Sequence, residues 1–334
     1  MNRSSAPQPV TQHSEGIEAT QDCAQKNCLE YLSDSEKRSV SACARRVRTK
    51  DHYKGPIRQN ECKFLPSSGR GPGPVALVSA RGSGNTWTRG LLEKATGICT
   101  GFISCDTAMR AHGYVGENVK SGKVLVVKTH SVVPKWQGEK NSHAKPDDAR
   151  YTSAVLILRN PAESAIAEWN RRSAEKVLGK HNFSIARERH TYTIPKEFFE
   201  GKGWDSFLHK YMRDWSTRLH QWVINQDNHP VHILHYEDLK QDTVGEIAKT
   251  LHFLNVSYDS DILRSKLSVD YSEFQRPHDS EDFEHYSLEQ KEFLRSVLLE
   301  AKEAAERASK ANLLQLDKYI CLLSSTFTLT QTKV

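Results

Sequence analysis

Three short stretches carry side chains whose types and spacing suit the handling of a polyanion. In Leu77-Val78-Ser79-Ala80-Arg81-Gly82-Ser83-Gly84-Asn85-Thr86-Trp87, an apolar run passes through small residues straight into a helix-compatible segment. Small side chains let a backbone wrap an anion with its N–H groups, and the start of the following helix adds partial positive charge at the same place. Ser83, Asn85 and Thr86 offer further donors. A nucleoside-triphosphate P-loop requires G-x-x-x-x-G-K-[ST]; Gly82 to Trp87 contains no lysine, so an ATPase or kinase loses its main support. An ordinary Gly/Ser turn before a helix is the alternative.

The second stretch, Val127-Lys128-Thr129-His130-Ser131, ends an apolar β-branched run in a cation and an imidazole. An imidazole titrating near neutrality can take the proton of an attacking hydroxyl. Lys128 beside it can stabilise charge growing on a leaving oxygen. The third, Leu156-Ile157-Leu158-Arg159-Asn160-Pro161, sets a guanidinium at the end of another apolar run. Arginine forks onto phosphate with two parallel N–H donors, and proline suits the first helical position after it. Taken singly, the second stretch reads as an exposed loop and the third as a strand end with a helix cap.

These side chains need strands that end together. Val75–Ser79, Val124–Val127, Ala154–Leu158 and Val231–Leu234 are short apolar runs without alternation, the pattern of strands buried on both faces. Helical patterns lie between and after them, at about 86–95, 161–176, 204–225, 243–254 and 287–310. Strand alternating with helix predicts an α/β fold, a P-loop-like parallel sheet flanked by helices. The domain is expected over 74–312. Residues 1–73 read as a polar, cysteine-bearing arm and linker, either pinned by disulfides or disordered, and residues 313–334 as a tail that fits no element.

Of the 334 residues, 37% are hydrophobic and 26% charged, which suits a globular protein, and the net charge of +6 favours anionic ligands. No helix-turn-helix, zinc-finger or RNA-binding signature accompanies that charge, so no nucleic-acid partner is expected. The seven cysteines form no CxxC pairs, which argues against zinc and leaves disulfides with one thiol over. Sequons at Asn2, Asn182 and Asn255 are compatible with a secretory route. The first 30 residues hold no apolar leader core, and no run approaches the ~18 apolar residues of a membrane span. A signal or membrane anchor is therefore not expected within this chain.

The segment Ser83-Gly84-Asn85-Thr86-Trp87 resembles the 5'-phosphosulfate loop, roughly P-K-S-G-T-T-W, of sulfotransferases that use PAPS (3'-phosphoadenosine-5'-phosphosulfate). Lys128-Thr129-His130 resembles the K-T-H of cytosolic-type members, and Arg159-Asn160-Pro161 their 3'-phosphate segment, R-[ND]-P-x-[DE]-x-x-x-S. His235-Tyr236-Glu237-Asp238-Leu239 is similar to their Y-E-D-L, a structural stretch, and Phe274-Gln275-Arg276-Pro277 to a basic stretch covering the 3'-phosphate. The resemblance implies His130 as catalytic base, with Lys128 in support. It implies cofactor contacts from Arg81, Gly82, Ser83, Gly84, Asn85, Thr86, Trp87, Arg159 and Arg276, and no metal. Two positions depart from the pattern: Gly82 stands in place of the lysine and Ala167 in place of the serine. Arg81 and Ser164 are the neighbours placed to compensate.

The likeness is closer to the WSC-domain-containing sulfotransferase group, on Ser83–Arg89, Thr96–Gly101, Gly122–His130 and Glu168–Arg172. That group is typically Golgi-anchored, and some members are described as sialate O-sulfotransferases. The resemblance therefore implies transfer to a hydroxyl acceptor, a glycan with sialic acid among the candidates, in the Golgi lumen. It also implies a Cys99–Cys105 disulfide. A non-catalytic PAP- or glycan-binding member of the same fold remains the alternative, and a nucleotide kinase stands third.

Overall fold

The computed structural model describes residues 32–48, 62–66, 73–138, 149–178, 193–268 and 282–323. Its helices and strands run in chain order as follows: α1 (Asp34–Arg48), β1 (Val75–Ser79), α2 (Asn85–Thr96), β2 (Gly101–Phe102), α3 (Thr107–Ala111), β3 (Val127–Thr129), β4 (Ser153–Leu158), α4 (Pro161–Leu178), α5 (Lys202–Leu219), β5 (Val231–His235), α6 (Tyr236–Gln241), α7 (Thr243–Phe253), α8 (Ser260–Leu267), α9 (Leu288–Arg307) and α10 (Ala311–Leu314). Among the described residues one sheet forms, in the order β2-β3-β1-β4-β5, and every pairing in it is parallel.

The unbroken apolar runs follow from burial on both sides. Successive strand residues point to opposite faces. Ala76, Val78, Ala154 and Leu156 enter one core with α4, α5 and α9, while Leu77, Val155, Ile157 and Leu234 enter the other with α2 and α7. Each fully buried Val, Leu or Ile contributes about 1.5–3 kcal/mol. A polar substitution in β1 therefore damages one core or the other.

The helices after β1, β4 and β5 lie where the periodicity places them, and so do β1, β4 and β5. β3 does not. Ordered pairing begins at Val127, three residues later than the apolar run, although Val124, Leu125 and Val126 are all buried. Their backbone groups pair instead with the chain after α2: Leu125 N–H donates to Cys99 O at 2.8 Å, and Gly101 N–H to Val126 O at 2.8 Å. The two-residue β2 at the sheet edge has no sequence pattern of its own.

The described parts of the expected arm are built into the domain. Leu32, Val40, Cys62 and Phe64 belong to the larger core. Residues 62–64 lie beside the end of α2, with Lys63 N–H on Gly97 O (2.8 Å) and Cys99 N–H on Lys63 O (3.0 Å). That pairing delivers Cys62 to Cys99, and α1 packed on α3 delivers Cys43 to Cys105. The Cys99–Cys105 pairing implied by the resemblance is thus replaced by Cys62–Cys99 and Cys43–Cys105, with Cα separations of 4.8 and 5.7 Å. The expected tail also differs in its described part. Residues 317–323 are helical, and Leu314, Leu316, Tyr319, Ile320 and Leu323 are buried in the larger core. Of the sequons, Asn255 is exposed, and Asn2 and Asn182 lie outside the described residues.

Candidate active site

β1 stands between β3 and β4, so the three stretches rich in chemistry leave the sheet side by side at the C-terminal ends of its strands. The strands that next follow β1 in sequence lie on one side of it, and β4 and β5 lie on the other. Such a reversal opens a crevice beyond the strand ends, where α/β sheets bind ligands.

Between β1 and α2 the backbone turns through Gly82 and Gly84, both at φ 85°, a left-handed conformation that side chains strain. A Cβ at Gly82 would run into the Ser164 carbonyl oxygen of α4, and one at Gly84 would meet the Tyr236 ring at 2.6 Å. The loop is thus clamped between α4 and the start of α6. Arg159 Nη1 donates to Gly82 O (2.8 Å) and Tyr211 OH to Arg81 O (2.6 Å). These bonds take up carbonyls on the outer side of the turn.

On the inner side the donors are left open. α2 begins after Gly84 with no side chain capping its first N–H groups. Ser83 is 1% exposed, and its Oγ has no partner. A buried hydroxyl without a partner beside an uncapped helix start is an arrangement that a bound anion would complete. The residues present therefore fit the phosphosulfate end of PAPS.

The remaining side chains of the loop divide. Thr86 accepts from Lys128 Nζ at its Oγ1 (3.2 Å) and from Tyr114 OH at its carbonyl (2.9 Å). Asn85 is turned inward: its Nδ2 donates to Leu77 O and Ser79 Oγ, both at 3.1 Å, so its amide braces the end of β1. Trp87 is buried edge-on against Tyr236, with ring centroids 5.7 Å apart. Arg81 is exposed on the rim of the loop.

His130 follows β3, and its Nδ1 lies 3.0 Å from the carbonyl oxygen of Ser79, the last residue of β1. A carbonyl only accepts, so Nδ1 carries the proton and Nε2 keeps its lone pair. Burial, joined by the cations of Lys128, Arg81 and Arg218, holds the imidazole well below its ordinary pKa of 6.5. It is therefore neutral at pH 7. Burial likewise pulls the Lys128 ammonium down to about 8, with Arg89 adding to the effect and Asp106 and Glu117 opposing it.

Arg159 follows β4. Besides Gly82 O it reaches Glu163 Oε2 at 3.0 Å and lies 4.4 Å from the Tyr236 ring centroid; its buried Nε has no partner. Ser164 stands behind the loop. It is fully buried, with Oγ bound to Pro161 O (3.2 Å) and Tyr211 OH (2.8 Å), so it supports the turn and is not open toward a phosphate. Arg276 lies outside the described residues.

Several site-building residues carry no local motif. Tyr211 and Arg218 of α5 look like ordinary members of a helix, and only their hydrogen bonds to the loop and to the His130 carbonyl (3.1 Å) single them out. Arg89 in α2 pairs with Glu117 at 2.7 Å, both wholly buried, and donates to Thr100 Oγ1 at 2.8 Å. Glu117 in turn accepts from Asp106 N–H at 3.0 Å, next to Cys105. This network ties α2 to the disulfide-linked part of the chain.

The family model for the sulfotransferase domain matches residues 72–305. The chain belongs to the sulfotransferase family. Similar proteins include two WSCD family members: one of Drosophila pseudoobscura pseudoobscura, 34% identical over 57% of this chain and 53% of its own length, and one of Drosophila melanogaster, 32% identical over 65% and 61%. The matches thus span little more than half of those relatives. Sulfotransferase 1A1 of Bos taurus is 36% identical over 74 residues, 20% of this chain and 25% of its own length. A solved structure, mouse sulfotransferase SULT7A1 complexed with PAP, is similar at 14% identity and a TM-score of 0.45, over 85% of this chain and 94% of that one. Within this sulfotransferase domain, Tyr236 and Glu237 contact the segments around the site. Tyr236 backs Gly84, and Glu237 accepts from Asn160 N–H (2.8 Å) and from Tyr319 OH (2.9 Å).

Proposed function

We propose that this sulfotransferase moves the sulfuryl group of PAPS onto a hydroxyl of a glycan acceptor. The observation that carries the reading is the 3.0 Å contact of His130 Nδ1 with the Ser79 carbonyl, from which we infer that Nε2 is the basic nitrogen turned toward the loop. PAPS supplies the activated sulfuryl group, with PAP as its leaving group. The acceptor oxygen forms the new bond to sulfur, the sulfur–oxygen bond to the 5'-phosphate breaks with its electron pair, and His130 Nε2 takes the acceptor's proton. Ser83 and the first amides of α2 hold the 5' end, Lys128 provides positive charge near the departing oxygen, and Arg159 is the candidate for the 3'-phosphate. Sialic acid as one candidate acceptor, and the Golgi lumen as the compartment, are carried over from the likeness to the WSC-domain group. The two disulfides are consistent with an oxidising secretory compartment. No helix among the described residues is long and apolar enough to cross a membrane.

The competing reading is a binding-only member of the fold, favoured by Gly82 where related enzymes carry lysine. Transfer of labelled sulfate from PAPS to a glycan panel separates the two. His130→Gln should bind PAP normally and turn over at least ~10²-fold more slowly, the usual loss for a general base. PAP binding with no transfer to any acceptor would establish the binding-only reading, and normal turnover in His130→Gln would remove the base.

A further inference from the structure

β3 ends at Thr129, so the carbonyls of His130 and Ser131 emerge beyond the last ordered pairing of that strand. Donors reach them from α5 and the turn after it. Arg218 Nη2 donates to His130 O at 3.1 Å and its Nε to Ser131 O at 3.3 Å, while Trp222 Nε1 donates to the same Ser131 oxygen at 3.1 Å. The third guanidinium nitrogen is anchored on Asp214 O of its own helix at 3.2 Å. Arg218 is 7% exposed, and a planar fork held at three carbonyls has little freedom to drift. The helix widens into a π-turn over His220–Ile224, a local distortion that recurs at functional sites. Two turns before Arg218, Tyr211 of the same helix donates to the phosphate loop at Arg81 O. Residues seven apart share a helix face, so one rigid element touches the main chain of both the loop and the base.

We propose that Arg218 is a positioning residue for His130: it fixes the backbone at 130–131 to α5 and lays a permanent cation beside the imidazole. The proposal rests on the reading of His130 as general base. The charged groups facing that imidazole are Lys128 from β3, Arg81 from the loop and Arg218 from α5, with the Ser79 carbonyl of β1 accepting from Nδ1. All three side chains are cations. Removing one makes the ring easier to protonate, and removing this one also frees its main chain.

The test uses the full chain with isotope-labelled histidine, the His130 resonance being assigned from its loss in His130→Gln. In Arg218→Met the titration midpoint of His130 should rise, because one of the cations opposing protonation of the ring is gone. Arg218→Lys keeps the charge but cannot span both carbonyls, so its midpoint should stay near wild type. Turnover with the acceptor returned by the sulfation screen should fall roughly tenfold or more in both variants through misplacement, with PAP affinity unchanged. An unshifted His130 titration in folded Arg218→Met, or full turnover in Arg218→Lys, overturns the proposal. Should Arg218→Met fail to fold, Arg218→Gln replaces it in the titration, which needs no acceptor. Normal turnover in His130→Gln would instead defeat the general-base reading and leave the titration to report on Arg218 alone.

Discussion

Gly82 offers the sharpest test of how the loop between β1 and α2 is built. It combines φ 85° with a Cβ direction that points into the Ser164 carbonyl and to within 3.1 Å of Glu168 N. Both obstacles are main-chain atoms of α4, which cannot rotate aside. Gly97, at the end of α2, has φ 69° with nothing within 4 Å of where a methyl would stand, so it carries the conformational penalty without the clash. A left-handed non-glycine residue costs roughly 1–2 kcal/mol. Forcing a methyl into a packed site adds about 1–3 kcal/mol. Gly97→Ala should therefore lose only the first amount, and Gly82→Ala about 2–5 kcal/mol, or roughly 4–20 °C in Tm for a domain of this size. Thermal unfolding of the two variants, with PAP binding by calorimetry, makes the comparison. PAP affinity should fall in Gly82→Ala, because the displaced carbonyl is the one held by Arg159 at 2.8 Å. Gly82→Lys, which supplies the lysine of the resembling enzymes, should bind worse still. If Gly82→Ala unfolds no lower than Gly97→Ala and binds PAP as wild type does, the loop does not lie on α4 as described.

Other expectations follow from the same geometry. With His130 as the proposed base, kcat/KM should fall as pH drops through the depressed pKa of that imidazole, below 6.5, and again as pH rises through about 8, where Lys128 loses its charge. A pH–rate profile checks both limbs. Lys128→Met should remove the upper limb and lower turnover by about 10²-fold, as loss of a charge-stabilising donor does. Glu117→Ala strands the buried Arg89 guanidinium and should destabilise the domain by about 3–5 kcal/mol in chemical denaturation. Truncation after residue 312 removes Leu314, Leu316, Tyr319, Ile320 and Leu323 from the core. At about 1.5–3 kcal/mol each, that loss rivals the whole stability of a domain, and circular dichroism should show no cooperative unfolding.

Much of the fold is legible in the sequence because burial on both sheet faces writes itself as uninterrupted apolar runs. β1, β4 and β5 and the helices after them follow that pattern closely. β3 does not, since the apolar run at 124–126 is buried equally well as irregular chain paired with residues 99–101, and hydrophobicity does not distinguish the two. The ends of the chain depart from expectation for a related reason. α1 adds a narrow apolar face to a core made elsewhere, which leaves its sequence mostly polar, whereas residues 311–323 are largely apolar but Gln315, Asp317 and Lys318 interrupt the run and hide its helical period. At the site, residues adjacent in sequence announce themselves by their motifs, whereas Tyr211 and Arg218 act on segments about 130 and 88 residues away, and no local spacing encodes such a contact. Ser164 has the right place on a helix face for a phosphate contact, but it points behind the loop to Tyr211.

The cystine between residues 43 and 105 has a practical bearing on how activity is measured. Cys105 adjoins Asp106, whose amide holds Glu117, which holds Arg89 in the helix that opens the anion cradle. Material expressed where thioredoxin and glutathione keep thiols reduced would lack that brace, and a silent assay on it would imitate a dead enzyme. Protein folded in an oxidising host is the fair sample on which to decide between a catalyst and a mere nucleotide binder.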